Sequence, residues 1–320
     1  MIGAGVMGLA TGWALRRRGH EPVVYEQFEI GNPHGSSHGR SRIFRLAYAE
    51  DEYVRLAQEA LGLWRELEAE SGETILELNA LVEIVGALED STAQTLERCG
   101  VAWERLDREE AEARYPIHVP EGSFVVVQPE AGIARADKAL QAFARELDVR
   151  EHMRVRPDEV EADAVVVTAG SWVNELLDEP LNVKVTRETL CYFRPYAGGL
   201  PVPSVVSFKP DLHIHDMYSL ADPKYGLKVG AHHQGAEADP NVPGEPDPAL
   251  IERITAWARG TYRLADPDPV AAETCMYTTT PDEHFILERR GRVVVGSACS
   301  GHGFKFAPAI GNRLAALATG

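Results

Sequence analysis

The chain has 320 residues, 44% of them hydrophobic and 25% charged, with a formal net charge of -17. That length exceeds one simple core and suits two interleaved lobes. The acidic balance excludes docking on a nucleic-acid backbone or an anionic membrane, and no apolar run approaches the roughly 20 residues that span a bilayer.

The opening MIGAGVMG lacks the basic leader and cleavage site of a secretion signal. The four cysteines, Cys99, Cys191, Cys275 and Cys299, show neither CxxC nor metal-like spacing. A cytoplasmic chain with reduced thiols is expected. A glycine-rich turn leads into a helix over residues 9–18, which Gly19 closes. Residues 22–27 predict a strand with Val23-Val24-Tyr25 at its centre. Residues 31–41 form a loop dense in Gly, Ser and His, and apolar spacing predicts a helix over 51–71. Strands follow at 80–85 and 124–128, then a helix at 136–147. Residues 162–170, ADAVVVTAG, read as a buried strand entering a tight turn. Several short strands are predicted between 187 and 235, and a solvated loop over 236–248. A helix at 248–262, a buried strand at 292–296 and a helix at 307–318 complete the chain.

Gly3-Ala4-Gly5-Val6-Met7-Gly8 fits GxGxxG and opens the first helix. The first glycine makes the turn, the second lets a pyrophosphate approach the backbone, and the third lets the helix pack closely. The helix N-terminus offers N–H donors and a positive dipole end. Glu26 ends the next strand about 20 residues on, where an acid binds a ribose hydroxyl and disfavours a 2′-phosphate. These features together predict a dinucleotide site. The strand that should precede Gly3 is represented only by Met1-Ile2, which would leave neighbouring strand edges unpaired.

Three further motifs carry a resemblance. The first is His34-Gly35-Ser36-Ser37-His38-Gly39-Arg40-Ser41-Arg42-Ile43-Phe44-Arg45. The second is Tyr225-Gly226-Leu227-Lys228-Val229-Gly230-Ala231-His232. The third joins Cys275-Met276-Tyr277-Thr278, Pro281-Asp282-Glu283-His284-Phe285 and Ser300-Gly301-His302-Gly303-Phe304-Lys305-Phe306. In order and spacing they resemble the monomeric sarcosine oxidase and N-methyltryptophan oxidase family, within the D-amino-acid-oxidase-like superfamily. The likeness covers nearly the whole chain.

The resemblance implies an α/β fold, with a glutathione-reductase-like FAD-binding Rossmann domain and an antiparallel substrate domain. The implied FAD domain is discontinuous, over 1–80, 130–178 and 275–320, and the substrate domain takes 81–129 and 179–274. Cys275 matches the cysteine that bonds the flavin, for which a thiolate is needed and nearby cations would lower the pKa. Cys299 is the competing thiol. Lys305 and Arg45 match the pair that holds a substrate carboxylate, because a carboxylate in an apolar pocket needs pairing. Lys228 matches a lysine whose fixed charge stabilises the anion formed as oxygen is reduced. His232 matches a histidine lining the amine pocket, with His233 as the alternative. Tyr277 and Tyr218 match aromatic walls. His38 and Arg42 match a pair beside the flavin ring. Ser36 and Ser37 lie in the same loop, and Gly301 and Gly303 in the last motif, within reach of the cofactor. The run Asp282-Glu283-His284 is read as scaffold rather than a metal site, and no metal is expected.

The implied reaction oxidises the C–N bond of a small secondary amino acid such as sarcosine with oxygen, releasing hydrogen peroxide, in a monomer. An oxidase of a cyclic secondary amino acid such as pipecolate or proline would share every site residue except the pocket walls. A dehydrogenase with another acceptor is disfavoured by Lys228. A non-catalytic remnant is the reading suggested by the short first strand and by residues 147–162, where the family places a longer strand-hairpin beside the adenine.

Overall fold

The computed structural model describes residues 1–86, 92–209 and 214–320. Two residues form the centre of its parallel layer. Ile2 bridges Tyr25 on one side and Val167 on the other, both in parallel. The Ile2 N–H donates to the Val166 carbonyl at 2.8 Å and the Gly3 N–H to Tyr25 at 2.8 Å, while the Tyr25 N–H donates to Met1 at 3.0 Å. The terminal ammonium of Met1 adds a bond to the Val23 carbonyl at 2.8 Å. The flanking strands are themselves only three residues long, so this stub pairs with both of them. The unpaired edges predicted from a missing strand do not arise.

Outward from the stub, Val23–Tyr25 pairs in parallel with Asp148–Arg150. On the other side Val165–Val167 pairs in parallel with Val293–Ser297, which pairs antiparallel with Ile286–Arg290. The segment 147–162 thus supplies an edge strand despite its shortness. It then runs beside the first strand's exit, where Met153 N–H donates to the Glu26 carbonyl at 2.7 Å.

The first helix, Val6–Arg17, starts earlier than predicted, because Gly5 is its extended N-cap (φ -68°, ψ 174°). It ends as predicted: Gly19 is left-handed (φ +85°), and the His20 N–H returns to the Leu15 carbonyl at 3.1 Å. The helix Ala307–Thr319 lies against it at backbone range, since a Cβ on Gly311 would stand 2.6 Å from the carbonyl carbon of Ala10. Asp51–Ser71 buries Tyr53, Val54, Ala57, Ala60, Trp64 and Leu67, the helical stripe its spacing predicted, and Gly72 caps it at φ +73°.

The second layer is a nine-stranded sheet whose hub is Lys184–Phe193. Along one edge of the hub runs Ala271–Thr279, antiparallel from Lys184 opposite Thr279 to Tyr192 opposite Ala271. Along the other edge lie Gly226–Ala231, Ile214–Asp222, Ser204–Lys209, Leu81–Val85, Phe124–Gln128 and Glu104–Leu106, in that order. The ninth strand, Ala236–Glu237, pairs with the hub at Thr186 and Arg187, and among the described residues only the Ser204–Lys209 to Leu81–Val85 pairing within the sheet is parallel. The strands are longer than the short runs predicted between 187 and 235, and Ala271–Thr279 was not predicted as a strand. The helix Pro248–Thr261 covers this sheet with Leu250, Ile254 and Ala258 against Val229 and Cys191. The motif after the 31–41 loop forms a short strand, Ser41–Phe44, paired with Gly132–Arg135. Among the described residues no helix is long and apolar enough to cross a membrane.

Candidate active site

The pocket runs from the end of the first parallel strand, past the glycine turn, to the hub edge of the large sheet. Its middle is lined by backbone. Gly3 is left-handed (φ +102°), and a Cβ there would sit 2.6 Å from the Thr168 carbonyl oxygen. A Cβ on Gly8 would sit 1.9 Å from the Gly3 carbonyl oxygen. Both contacts require glycine, so strand, turn and helix close into a cradle at the helix N-terminus. Ser37 Oγ accepts from Val6 N–H at 3.1 Å, anchoring the 31–41 loop to that helix end. Ser36 Oγ instead donates to the Met276 carbonyl at 2.5 Å, tying the same loop to the cysteine strand. Glu26 is buried, its two carboxylate oxygens accepting from Ala4 N–H at 2.8 Å and Phe28 N–H at 2.9 Å. Met153, Arg154 and Val155 close the pocket near it. An elongated cleft with an anion-ready backbone in the middle and a carboxylate at one end fits a dinucleotide such as FAD.

At the far end, strand alternation puts Glu273, Cys275 and Tyr277 on one side of Ala271–Thr279. Cys275 is buried, with Sγ 3.9 Å from the Ser36 carbonyl oxygen. Burial raises its pKa, and the nearby cations Arg42 and Lys228 offset this only in part. The expected cations are thus present and act to lower the pKa, but desolvation of the thiolate outweighs them. Lys228, 3% exposed, is pushed down to about 8 by burial first and then by Arg42. Gly39 faces this group closely, its Cβ direction pointing at Arg42 Nη1, Glu273 Oε1 and Lys228 Nζ within 4.0 Å. Arg42 fastens the loop by donating to the carbonyls of Ser36, His38 and Ser41 at 2.7, 2.6 and 2.8 Å. His38 is buried with Nδ1 2.9 Å from the Gly35 carbonyl oxygen, and burial, then Arg42, holds its pKa at about 4.

Above the cysteine, His232 Nδ1 lies 3.4 Å from the Tyr277 hydroxyl, and Tyr218 meets the His232 ring edge-on at 6.2 Å. Gly301 (φ +71°) permits this closeness: a Cβ there would stand 2.5 Å from Tyr277 and 2.6 Å from His232. Gly303 is similarly forced, with a Cβ position 1.6 Å from the Ala298 carbonyl oxygen. Burial raises the phenol pKa of both Tyr218 and Tyr277, so both stay neutral.

Arg45 and Lys305 come together over one tyrosine. The Arg45 guanidinium lies 4.4 Å from the Tyr48 ring centre, and Lys305 Nζ donates to the Tyr48 hydroxyl at 2.8 Å and to the His302 carbonyl at 2.6 Å. Lys305 is 4% exposed, and burial, then Arg45, drives its pKa well down. The Tyr48 hydroxyl also meets His302 Nδ1 at 3.3 Å, and His302 Nε2 lies 3.1 Å from the Glu283 carbonyl oxygen. That carbonyl can only accept, so Nε2 carries the ring proton and Nδ1 accepts from Tyr48. Burial, then Lys305, holds the His302 pKa at about 3, which keeps this tautomer neutral. The Tyr48 oxygen is thereby left to accept from Lys305. Sequence reasoning missed Tyr48; its position three residues after Arg45 was the one available signal. It also missed Glu273, which bonds the Tyr192 hydroxyl beside Lys228.

The run Asp282-Glu283-His284 diverges. His284 Nδ1 meets the Tyr53 hydroxyl at 2.8 Å, Asp282 caps the His284 N–H at 3.1 Å, and Glu283 faces His233. The site residues Arg42, Arg45, Tyr218, Lys228, His232, Cys275, Tyr277, Gly301 and Lys305 all line the same pocket.

Residues 1–317 match the family model described as DAO, FAD dependent oxidoreductase. The chain is 33% identical to the peroxisomal sarcosine oxidase of Homo sapiens, over 98% of this chain and 90% of that protein. It is 30% identical to the monomeric sarcosine oxidase of Bacillus sp. (strain B-0618), over 99% and 91%. Among solved structures it is similar to NikD, an unusual amino acid oxidase essential for nikkomycin biosynthesis, with a TM-score of 0.83, 25% identity and coverage of 99% and 92%. It shares its fold with the L-proline dehydrogenase of P. horikoshii at a TM-score of 0.82, 21% identity and coverage of 99% and 92%. The chain belongs to the DAO family of FAD dependent oxidoreductases.

Proposed function

We propose that this protein is an oxidase of a secondary, N-methyl amino acid such as sarcosine. The observation that carries the reading is the pair Arg45 and Lys305, two cations meeting over Tyr48 at the aromatic end of the pocket. Burial and mutual repulsion disfavour the charge on Lys305, and a substrate carboxylate offers the missing counter-charge. Gly3, Gly5, Val6, Met7 and Gly8 would hold the FAD pyrophosphate and Glu26 its ribose. Ser36, Ser37, His38, Arg42, Gly301 and Gly303 would surround the rest of the cofactor, with Cys275 as the covalent attachment point. FAD held there would supply the two-electron chemistry between the amine and oxygen.

Arg45 and Lys305 orient the carboxylate. His232, Tyr277 and Tyr218 wall the amine end, and a wall with buried Tyr277 and half-buried Tyr218 and His232 favours the neutral amine over the ammonium, as oxidation requires. Lys228 sets a positive charge beside Cys275 and Arg42, where it stabilises negative charge developing on oxygen. The overall balance is N-methyl amino acid plus oxygen plus water, giving amino acid, formaldehyde and hydrogen peroxide. We assign 1–80, 130–178 and 275–320 to the FAD domain and 81–129 with 179–274 to the substrate domain. The free thiols fit a reducing compartment, and we read the enzyme as a cytoplasmic monomer.

The test combines colour and peroxide. Acid-denatured protein should keep flavin absorbance with the polypeptide, and the native protein should release peroxide with sarcosine. Peroxide with proline or pipecolate but not with sarcosine would overturn the substrate. Peroxide with none of them would overturn the oxidase.

A further inference from the structure

We infer that His232, His233 and Glu283 form a divalent-cation site beside the amine end of the pocket, suited to zinc, and that filling it ties up His232 against the substrate amine. The three side chains each offer a ligand atom, and these atoms all lie within 4.8 Å of one another. His233 Nε2 is 3.7 Å from a Glu283 carboxylate oxygen, and the two imidazole rings are 4.1 Å apart.

Chain geometry does not give this convergence for nothing. Consecutive residues leaving a strand point to opposite faces. His233 is left-handed (φ +54°), which turns its ring back beside His232, and Glu283 is left-handed too (φ +60°). Such a backbone is strained for a non-glycine residue, and strain of this kind gathers at ligand clamps. Both turns are tightly braced. Buried Glu188 accepts from the N–H groups of Gln234 and Gly235 at 3.0 and 2.8 Å, just beyond His233. Across the gap, Glu283 N–H donates to the Thr280 carbonyl at 3.1 Å, and Thr280 Oγ1 to the His284 carbonyl at 2.8 Å. His233 Nε2 is buried and has no hydrogen-bond partner among the described residues.

Two imidazoles and one carboxylate are a zinc donor set that leaves a fourth position open. Zinc–nitrogen bonds of about 2.0–2.1 Å in a tetrahedron put donors about 3.3 Å apart, so the His233–Glu283 pair at 3.7 Å must close by about 0.4 Å and no pair by more than about 1.5 Å. The Glu283 side chain is 56% exposed and can make that movement. His232 is shared with the amine pocket through Tyr277, so a cation held there competes with the substrate. The expectation of no metal weighed the run 282–284, whose neighbours in sequence diverge, whereas Glu283 finds its partners on another strand's end.

The binding claim stands without the substrate assignment; the inhibition claim rests on it. The test is calorimetric titration of zinc chloride into FAD-loaded enzyme stripped with chelator. One zinc per chain is expected, weakened more than about 10-fold in His233→Asn and in Glu283→Gln. Asparagine accepts a left-handed backbone, so the first variant keeps the turn. Zinc should raise KM for the amine with kcat unchanged, reversibly with chelator, and both variants should escape this. Absence of zinc binding by the native enzyme, or equal binding by both variants, would overturn the site. Zinc binding without amine oxidation would count against the substrate reading alone. Zinc binding with an unchanged KM would overturn the inhibition.

Discussion

Lys228 shows how one buried residue can be matched to its task. Water is excluded from it, Arg42 repels it, and together they bring its pKa to about 8, while Cys275, Glu273 and Asp222 act to raise it. A lowered lysine pKa leaves the group charged below that value and neutral above it. The oxidative half-reaction should therefore slow as pH rises through about 8, if Lys228 stabilises developing negative charge on oxygen. Lys228→Met should slow that step about 100-fold at neutral pH and abolish its pH dependence, while leaving anaerobic flavin reduction nearly unchanged. Stopped-flow measurement of the two half-reactions checks this. A variant that reoxidises at the native rate would remove Lys228 from the oxygen step.

At the scale of elements, two glycines separate packing from propensity. Gly8 opens the first helix, and a Cβ there meets the Gly3 carbonyl oxygen at 1.9 Å and Thr168 Oγ1 at 2.7 Å. Gly8→Ala must push turn and helix apart, costing about 1–3 kcal/mol and loosening the nucleotide cradle. Gly62 lies inside the exposed side of Asp51–Ser71 with nothing within 4 Å of its Cβ direction, so Gly62→Ala should stabilise by up to about 1 kcal/mol. Thermal melting with flavin release should move in opposite directions for the two. The same contrast marks what the sequence could reveal. The glycine turn, the capped helices and the valine-rich strands were legible because each is specified by neighbours in the chain. The hub pairing of Lys184–Phe193 with Ala271–Thr279 was not, because it joins residues far apart and Ala271–Thr279 carries Glu273 and Thr274 rather than an apolar alternation. Tyr48 escaped notice, and His302 was quoted without a role, for the same reason: their roles exist only through Lys305. The cations beside Cys275 were legible in the motifs, but the burial that outweighs them was not, because burial is set by the whole fold.

For the molecule as a whole, charge is arranged inside out. The chain carries a net charge of -17, yet Arg42, Arg45, Lys228 and Lys305 line one pocket. Lys305 has its pKa well below the ordinary lysine value, by burial first and Arg45 second. For a base, that shift means stability is lost as pH falls from the unfolded pKa towards the folded one, and no further below it. A carboxylate seated between Arg45 and Lys305 reverses the shift, so binding must draw a proton from solution wherever the free lysine is neutral and the bound one charged. Near neutral pH Lys228 is already mostly charged, which leaves Lys305 as the group that responds. Propionate, which has the carboxylate but no amine to oxidise, isolates the effect. Titrated into FAD-loaded enzyme, it should give a less exothermic heat in Tris than in phosphate, because each proton taken up is released by the buffer and Tris ionises at the greater enthalpy cost. It should also raise the melting temperature, by the equivalent of about 2.7 kcal/mol at a hundred times its Kd. Lys305→Met should lose the buffer dependence and most of the affinity. Equal heats in the two buffers for the native enzyme would mean that Lys305 is already charged in the free pocket, and the clamp would then work by fixed charge without proton uptake.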